Sequence, residues 1–586
     1  MKVIVYMLCS FWVALCDPSV KTKLGMINGK TNTVMFRDKQ FVVNEFLGVP
    51  YAKPPMGELR FQRPQPYGAF QQPIDGTKYG ASCPQTKMKH INIGGRSDNE
   101  DCLFLNLYVP TNKADTGDNH AVMIWMHGGG LSFGDGNMTA GTVLAGYGNV
   151  IVVTINYRLA LFGFLNIGDE RAKGNMGLWD QRLAFQWINE NVGAFGGDPS
   201  RVTILGESAG AMSAHLHSLY PENRGLFQNV ISQSGTATLP FAVGSDNLPA
   251  ARIYAEHLEC RTDTTEDIFQ CLKSVDTKRF IDVAEVIVDN DTLATQAFFA
   301  HTIDGEFVAR SSKETLKLPD SDEVKFMKEL NYINGVNADE GALWVIMLAA
   351  NHNGSIDDLK VGKADVSMLV PMMVGMMCPG QNTHSAVSDL IDYEYTNWAN
   401  PEDARAVYTK LSGDIFMNVP AMDLNLAHAN GSASNTWFYN FMLAPAHRFF
   451  NLPKWISTAT HGEEIPHVFG YYLDNEQWFN TTDYQPPERE LDVSERVMTY
   501  WTNFAKFGDP NGDGPVTWPK YTLETMQHLV IDEEDSIGQR LYTKEYQLWR
   551  EIVPALLEAI ENGAHTGDSA FKSKMTDACD AEGNCG

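Results

Sequence analysis

The sequence predicts an α/β fold with a large, mostly parallel central sheet and helices on both of its faces. Two observations lead to this prediction. Strand candidates such as 121–126 and 150–155 are continuous apolar runs, which indicates strands that are buried on both faces. These runs alternate with segments of helical spacing, and the alternation of strands and helices is typical of a parallel sheet.

The expected elements follow in chain order. Early strands are expected at 34–36, 41–43 and 104–109, and a helix is expected from Gly177 to Phe195, before the breaking turn at 196–199. The later expected elements are strands at 202–205, 230–232, 330–333 and 437–441, a helix whose apolar face carries Val493, Val497, Tyr500, Trp501, Phe504 and Phe507, and a final helix from Leu541 to Ile560, kinked at Pro554.

The composition limits the class of protein. The chain has 586 residues, of which 44% are hydrophobic and 20% charged, so it can bury a large core. Its formal net charge of -27 argues against a nucleic-acid partner, because phosphates would be repelled. No repeat or long linker interrupts the pattern. We therefore expect a single catalytic domain over 17–561 and a polar, flexible tail over 562–586.

The first residues are typical of a secretory signal peptide. Lys2 precedes an uncharged apolar stretch, and the small residues before Asp17 suit cleavage there, so 1–16 is interpreted as the signal. No other run reaches the length of about 18 apolar residues that a membrane span needs. We expect a secreted, extracellular protein without a transmembrane segment. Five Asn-x-Ser/Thr sequons agree with secretion as glycosylation candidates, at Asn137, Asn290, Asn353, Asn430 and Asn480.

Secretion also permits disulfides. Seven cysteines remain after residue 16, at positions 83, 102, 260, 271, 378, 579 and 585. Their spacing alone leaves the pairing open, although bridges across short loops are the simplest arrangement.

The most informative motif is Gly206-Glu207-Ser208-Ala209-Gly210. It follows the apolar run 202–205 and precedes a helix-compatible stretch, which is the context of a nucleophile elbow. Such a turn needs small neighbours around the serine, and the helix behind it offers free N–H groups and a positive dipole end. An ordinary serine between two glycines is the alternative interpretation.

An elbow serine needs a base, an acid and oxyanion donors. The turn His127-Gly128-Gly129-Gly130 directly follows a buried-type strand and could supply bare N–H groups close to the substrate. A phosphate loop is excluded because no Gly-Lys-Ser/Thr follows. Spacing alone does not choose among the 15 histidines, including His215 and His217, although the chain order favours later ones such as His461.

The chain resembles the type-B carboxylesterase and cholinesterase family across nearly its full length. The matching segments, in the same order as in the family, are 46–52 with Pro54-Pro55, 59–61, 100–106, 156–158, 180–182 and 195–199. The resemblance implies an α/β-hydrolase fold with a mixed central sheet and a deep active-site gorge.

The resemblance also implies roles for individual residues. Ser208 matches the nucleophile, Glu340 the acid and His461 the base, with Asp339 a rival acid on chemistry alone. The matches to the family's oxyanion donors and disulfides are the N–H groups of Gly129, Gly130 and Ala209, and the pairs Cys83–Cys102 and Cys260–Cys271. Two ion pairs, Arg60–Glu100 and Arg158–Asp180, are expected to be buried, with surface charge as the alternative.

The implied reaction is the hydrolysis of a small-molecule or lipid carboxylic ester through an acyl-enzyme. The loop 84–101 contains no aromatic residue, which argues against a choline site. Glu207 stands where juvenile-hormone esterases usually have Gln, which weakens the case for a hormone-ester esterase of the same family but leaves it as an alternative.

Two further alternatives remain. A lipase of the bile-salt-stimulated type is the alternative enzyme, since the run 368–374 could line an entrance for lipid as well as fill the core. A neuroligin-like adhesion role is less favoured, because the three triad residues are present.

No metal or organic cofactor is expected. The stretch 509–514 resembles the start of a calcium loop, but Lys520 occupies the twelfth position in place of Glu, so a turn is favoured. The sequence leaves the natural ester, the oligomeric state and the pairing of Cys378, Cys579 and Cys585 open.

Overall fold

The computed structural model describes residues 17–562, except for 87–94, 116, 118, 241, 245–246, 289–298, 351–358, 360, 381–382, 401–403, 449, 451, 472–483 and 513–515. The expected signal peptide, nearly all of the expected tail, and Asn290, Asn353, Asn480, Cys579 and Cys585 lie outside the described residues.

A mixed sheet forms the centre of the molecule. Eleven of the strands in the described part of the chain belong to it, in the order β18-β17-β16-β15-β12-β11-β7-β8-β6-β4-β3. The seven strands from β17 to β8 run parallel, and the strands at both edges pair antiparallel. The strands are β1 (Ser19–Lys21), β2 (Met26–Asn28), β3 (Lys30–Phe36), β4 (Lys39–Pro50), β5 (Ile74–Asp75), β6 (Phe104–Pro110), β7 (His120–Met126), β8 (Ile151–Ile155), β9 (Asn166–Asp169), β10 (Ala172–Lys173), β11 (Gly197–Glu207), β12 (Asn229–Gln233), β13 (Val243–Gly244), β14 (His301–Thr302), β15 (Asn331–Asn337), β16 (Thr436–Phe441), β17 (Gln527–Ile531) and β18 (Ser536–Gln539).

Helices connect these strands and cover the sheet. The α-helices are α1 (Thr142–Gly148), α2 (Ala160–Phe164), α3 (Met176–Asn191), α4 (Ala209–Ser218), α5 (Leu248–His257), α6 (Thr265–Ser274), α7 (Thr277–Val288), α8 (Ser312–Leu316), α9 (Asp322–Glu329), α10 (Ala342–Ala350), α11 (Lys363–Met377), α12 (Ser385–Tyr395), α13 (Ala404–Gly413), α14 (Val419–Ala429), α15 (Ile465–Val468), α16 (Glu488–Phe507), α17 (Thr543–Gln547) and α18 (Val553–Glu561). Short 3₁₀ helices span Gly57–Leu59, Val192–Phe195 and Pro221–Asn223, and π-helical turns span Asp414–Asn418 and Leu548–Ile552. No helix in the described ranges is both long enough and apolar enough to cross a bilayer.

The continuous apolar strands are buried on both faces because each face of the sheet has its own core. Along β7, Val122, Ile124 and Met126 enter one apolar cluster, whereas Met123 and Trp125 enter another. Side chains alternate between the two faces of a strand, so an uninterrupted apolar run supplies both cores. The predicted α/β architecture is therefore confirmed.

Three expected elements differ in detail. The strand before Ser208 begins at Gly197 rather than Val202, with a register shift between these two residues. Phe507 is 56% exposed, because it ends α16 beside the left-handed cap residue Gly508. The final helical stretch is not one uniform α-helix: a π-helical turn over Leu548–Ile552 separates α17 from α18, and Pro554 lies in the first turn of α18.

The disulfides Cys83–Cys102 and Cys260–Cys271 are both present, and Cys378 is buried as a free thiol. Both expected ion pairs are also buried. Arg158 binds both carboxylate oxygens of Asp180, at 2.8 and 2.7 Å, and Arg60 likewise contacts both oxygens of Glu100. The Arg158–Asp180 pair joins the segment after β8 to α3. The Arg60–Glu100 pair joins the segment after the 3₁₀ helix Gly57–Leu59 to the loop before β6.

Candidate active site

Ser208 lies in a strained turn between β11 and α4. Its φ of 55° and ψ of -120° are unusual for a residue with a side chain. The glycines on either side allow this geometry: a Cβ at Gly206 would lie 2.5 Å from Gly210 C, and one at Gly210 would lie 2.1 Å from the carbonyl oxygen of Met126. Backbone strain of this kind is concentrated at functional sites, so it indicates a functional role for Ser208. The Ser208 residue is half-buried.

The glycine turn after β7 lies beside this serine. A Cβ at Gly128 would lie 3.1 Å from Ser208 Cβ and 2.5 Å from Glu207 Oε2. Gly129 and Gly130 both have positive φ, at 100° and 58°. Within the described part of the chain, their N–H groups and that of Ala209 donate to no backbone acceptor. The turn therefore offers free N–H donors next to the serine.

Side chains on both sides fix the glycine turn. Tyr157 stacks on the His127 ring at 4.4 Å and donates its hydroxyl hydrogen to the His127 carbonyl at 2.7 Å. Gln85, next to the Cys83–Cys102 bridge, exchanges two hydrogen bonds with the backbone of Gly134, at 2.8 and 3.0 Å. The disulfide loop and the segment between β8 and α2 thus hold the donors in a single arrangement.

The histidine and the acid come together from two other parts of the chain. Nδ1–H of His461 donates to Oε2 of Glu340 at 2.7 Å, and both side chains are buried. Asp339, the rival acid, instead accepts from the Thr458 hydroxyl. The loops meet because Asp339 N–H donates to the Ala459 carbonyl at 2.8 Å, which aligns the two chain segments side by side.

The other nitrogen of His461 points towards the elbow. Nε2 lies 3.1 Å from Oε1 of Glu207, the residue immediately before Ser208. The structure thus brings the His461 side chain between Glu340 and the serine turn. By contrast, His215 and His217, on the elbow helix itself, bond to Ala237 and to Gln181 and Asn223, and neither bonds to a carboxylate among the described residues.

The electrostatics of this cluster are unusual. Burial raises the pKa of Glu207. Burial alone would lower the pKa of His461, but the neighbouring charges of Glu207 and Glu340 and the hydrogen bond to Glu340 outweigh it and raise that pKa. Both shifts favour keeping a proton in the contact between Glu207 and His461. A perturbed acid–base pair in a strained, glycine-rich site is typical of catalysis.

Three more polar residues surround this pair: Gln233 and Asn337, the last residues of β12 and β15, and Glu464, in the loop that carries His461. Glu464 Oε1 accepts from Gln233 at 3.0 Å, and Oε2 accepts from Asn337 at 2.6 Å. Sequence reasoning missed all three. Gln233 and Asn337 could have been found from their position, since polar residues at the carboxyl ends of parallel strands often belong to a site. Glu464 could have been found from its place in the loop that carries His461.

The two described sequons lie in different environments. Asn430 is exposed just after α14, whereas the Asn137 amide donates to the Gly80 carbonyl at 3.2 Å and Thr139 of its sequon is buried.

In the calcium-loop candidate, Asn511 N–H donates to the Asp509 carboxylate within a local turn. Among the described residues, no group of three or more His, Cys, Asp or Glu side chains could hold a metal ion.

The sheet order and the strand–Ser208–helix turn define an α/β-hydrolase. The family model that matches residues 16–549 is that of the carboxylesterase family. An acylcarnitine hydrolase of Rattus norvegicus is 33% identical over 93% of this chain and 92% of its own length. A cocaine esterase of Oryctolagus cuniculus is 33% identical over 93% and 97%, respectively. Neuroligin-3 of Mus musculus is 32% identical over 92% of this chain and 69% of its own length.

The chain therefore belongs to the carboxylesterase family, and it acts on carboxylic esters as a hydrolase.

Proposed function

We propose that the chain hydrolyses its ester through a Ser208–His461–Glu340 triad and an acyl-enzyme intermediate. The observation that supports this most is the position of His461, which contacts Glu340 through Nδ1 at 2.7 Å and reaches the residue before Ser208 through Nε2 at 3.1 Å. The base thus lies between the acid and the turn that carries Ser208, which supports proton transfer from the serine hydroxyl to Nε2.

The proposed reaction begins when Nε2 of His461 takes the hydroxyl proton of Ser208 as its oxygen attacks the ester carbonyl. Glu340 holds the Nδ1–H tautomer and stabilises the imidazolium that forms. The neutral imidazole that this step needs is available when the proton of the Glu207–His461 contact resides on Glu207.

The N–H groups of Gly129, Gly130 and Ala209 would bind the oxyanion of the tetrahedral intermediate, and each such donor is worth about 3 kcal/mol in the transition state. His461 then returns the proton to the leaving alcohol, and a water molecule repeats the sequence to release the acid and free the serine.

The direct test is Ser208→Ala with a soluble short-chain ester such as a nitrophenyl acetate. We expect turnover to fall by about 10⁴-fold or more, because the hydroxyl that attacks is gone. Unchanged circular dichroism and melting temperature serve as the folding control. Labelling of the unmodified enzyme by a fluorophosphonate, followed by peptide mass spectrometry, should locate the adduct on Ser208. An adduct elsewhere, or more than a few per cent residual turnover, would contradict the assignment.

Secretion and glycosylation are further parts of the proposal. Asn430 supports them because its side chain is exposed beside a loop glycine with a φ of 70°. We expect a glycan on Asn430 and none on Asn137 after production in insect or mammalian cells. Peptide mapping before and after deglycosylation would show which sequons carry sugar, and an occupied Asn137 would contradict the assignment.

A second candidate, lipase activity at a lipid surface, is favoured by one specific feature. Helix α11 exposes Met368 and Met372, at 69% and 44%, together with Ala364 one turn earlier. These residues recur every four positions and form an exposed apolar stripe without a charged residue. Val370, Met373 and Val374 on the opposite side fill the core, so the same run is buried on one side and exposes methionines on the other.

Rates on an emulsified triacylglycerol and on tributyrin below its solubility limit distinguish the two candidates. A lipase should be activated at the emulsion surface, and Met368→Gln with Met372→Gln should abolish that activation. An esterase should show no activation, and the double substitution should leave its rate on the soluble ester unchanged.

A further inference from the structure

We propose that Glu464 is a positioning residue of the catalytic site, whose carboxylate closes a hydrogen-bond circuit that fixes Ser208, His461 and Glu340 relative to one another. This inference rests on the proposed function, because it assigns Glu464 a part in the same reaction. Glu464 is fully buried, three residues after His461.

The first half of the circuit joins the nucleophile to Glu464. Ser208 N–H donates to the carbonyl of Gln233 at 2.9 Å, and the side-chain amide of Gln233 donates to Glu464 Oε1 at 3.0 Å. Glu207 and Gln233 are paired neighbours on β11 and β12. A displacement of Glu464 would therefore act on the strand that carries the elbow.

The second half joins Glu464 to the acid and the base. Asn337 is its centre: Nδ2 donates to Glu464 Oε2 at 2.6 Å and to the Thr460 carbonyl at 2.7 Å, while its backbone N–H donates to Glu340 Oε1 at 2.7 Å. The other oxygen of Glu340 accepts from His461. Through Asn337, one carboxylate thus orients the acid and also the residue that precedes the base.

The hydrogen-bond partners of Glu464 favour its ionised form, the carboxylate, over the protonated acid. Trp501 can only donate, and its indole N–H donates to Oε1 of Gln233 at 2.9 Å, so the NH₂ of Gln233 must face Glu464. The Thr460 carbonyl can only accept, so the NH₂ of Asn337 must face both it and Glu464. Two donors therefore meet the two oxygens of Glu464, and only a carboxylate accepts fully from both.

Burial raises the pKa of Glu464, whereas the hydrogen bonds from Asn337 and Gln233 act in the opposite direction and favour the carboxylate. The negative charge of that carboxylate also acts on the base. The charge of Glu464 helps to raise the pKa of His461, after the larger contributions of Glu207 and Glu340. Glu463 is turned away, towards the Thr460 N–H and Arg448. Three tyrosines also lie close to the acids Glu207, Glu340 and Glu464: Tyr439 near all three, Tyr157 near Glu207 and Tyr542 near Glu340. Burial raises the pKa of each hydroxyl and keeps it neutral.

The test is a pair of substitutions that moves the carboxylate without changing the number of donors and acceptors. In Glu464→Gln, an NH₂ group would face the NH₂ of Gln233 or Asn337. In the exchange variant Gln233→Glu with Glu464→Gln, Trp501 and residue 464 donate to the new carboxylate, and the carbonyl of residue 464 accepts from Asn337. The matched control is Glu490→Gln, which removes another fully buried carboxylate that accepts from Tyr471 and Tyr484.

We expect Glu464→Gln to lower kcat by about 10–100-fold with little change in KM, as the loss of a hydrogen-bond partner that orients a group of the site does. The acid limb of its kcat/KM profile should move to lower pH, because a charge that favours imidazolium is lost. The exchange variant should recover most of kcat and return the acid limb towards that of the unmodified enzyme. Glu490→Gln should leave both unchanged. All rates are expressed per site titrated with a fluorophosphonate.

Each other outcome contradicts the inference. An unchanged kcat and acid limb in Glu464→Gln would overturn it, as would an exchange variant no better than the single one. Failure of both to fold, while Glu490→Gln folds, would make Glu464 a purely structural residue. A failure of the proposed function can be distinguished from a failure of this inference. If the proposed function is wrong, the fluorophosphonate will not label Ser208 in the unmodified enzyme.

Discussion

His461 and the other buried histidines show how differently the same side chain behaves in two regions of this molecule. His215, His301, His428 and His467 are as deeply buried, but the groups bonded to them are neutral. Burial lowers the pKa of His215 and His467 to about 3 and that of His301 and His428 to about 4. At His461 the neighbouring carboxylates reverse the direction of the shift.

The comparison teaches that burial alone makes an inert, neutral imidazole, whereas burial among acids makes a base that can be protonated during a reaction. The two groups of histidines should therefore respond to substitution in opposite ways. Changes near His461 should alter rate and pH dependence, and changes near the others should alter stability.

Among the substitutions that test this comparison, the largest effect is expected from Glu340→Gln. The amide NH₂ of Gln would donate to Nδ1 of His461 and stabilise the tautomer in which Nε2 carries the hydrogen and cannot accept a proton. We expect kcat to fall by about 10³–10⁴-fold. Stopped-flow or steady-state kinetics on a nitrophenyl ester would measure it. Asp339→Asn is the matched control, since its amide oxygen can still accept from Thr458, and a comparable loss there would contradict the choice of acid.

A smaller effect is expected from Glu207→Gln. Removing this carboxylate removes the largest charge that raises the pKa of His461. The imidazole should then lose its proton at lower pH, so the acid limb of kcat/KM should move down by about one pH unit. The pH profile of the titrated enzyme measures the shift. A limb that stays in place or moves upward would show that Glu207 does not set the state of the base.

The smallest effect on rate is expected from His215→Asn, which can keep the acceptor for Ala237 N–H. His215 stays neutral in the folded protein down to a pKa of about 3, but it binds a proton near pH 6.5 once unfolded. The unfolded state therefore gains protons as pH falls below 6.5, and stability is lost by up to about 1.4 kcal/mol per pH unit for each such histidine.

The His215→Asn variant should lose less stability than the unmodified protein between pH 6.5 and 5, with kcat at pH 7.5 nearly unchanged. Urea unfolding at the two pH values measures the difference in the free energy of unfolding. Equal losses in both proteins would mean that His215 does not remain neutral in the fold.

The parts of the site that depend on local sequence could be predicted. The strand, the flanking glycines and the helix identify the Ser208 turn, because a tight turn restricts the residues that can form it. The turn at 128–130 is recognisable for the same reason. Chain order favours later histidines such as His461, but only the family resemblance selects His461 and Glu340, since pairing of residues 121 apart in sequence leaves no local pattern.

The remaining features depend on tertiary packing. Gln233, Asn337 and Glu464 form one network only because β12, β15 and the loop after β16 meet in space. The exposure of Phe507 follows from its place at the very end of α16, and the engaged amide of Asn137 follows from a neighbouring carbonyl. None of these is visible in residue spacing.

The circuit through Gln233 has a consequence for biosynthesis. Gln233 and Trp501 are 268 residues apart, so at usual translation rates the ribosome needs about 15–50 s to produce the second after the first. A nascent chain that ends soon after Gln233 carries Ser208 but lacks both the base loop and Trp501. The complete circuit can therefore close only after Trp501 has been synthesised.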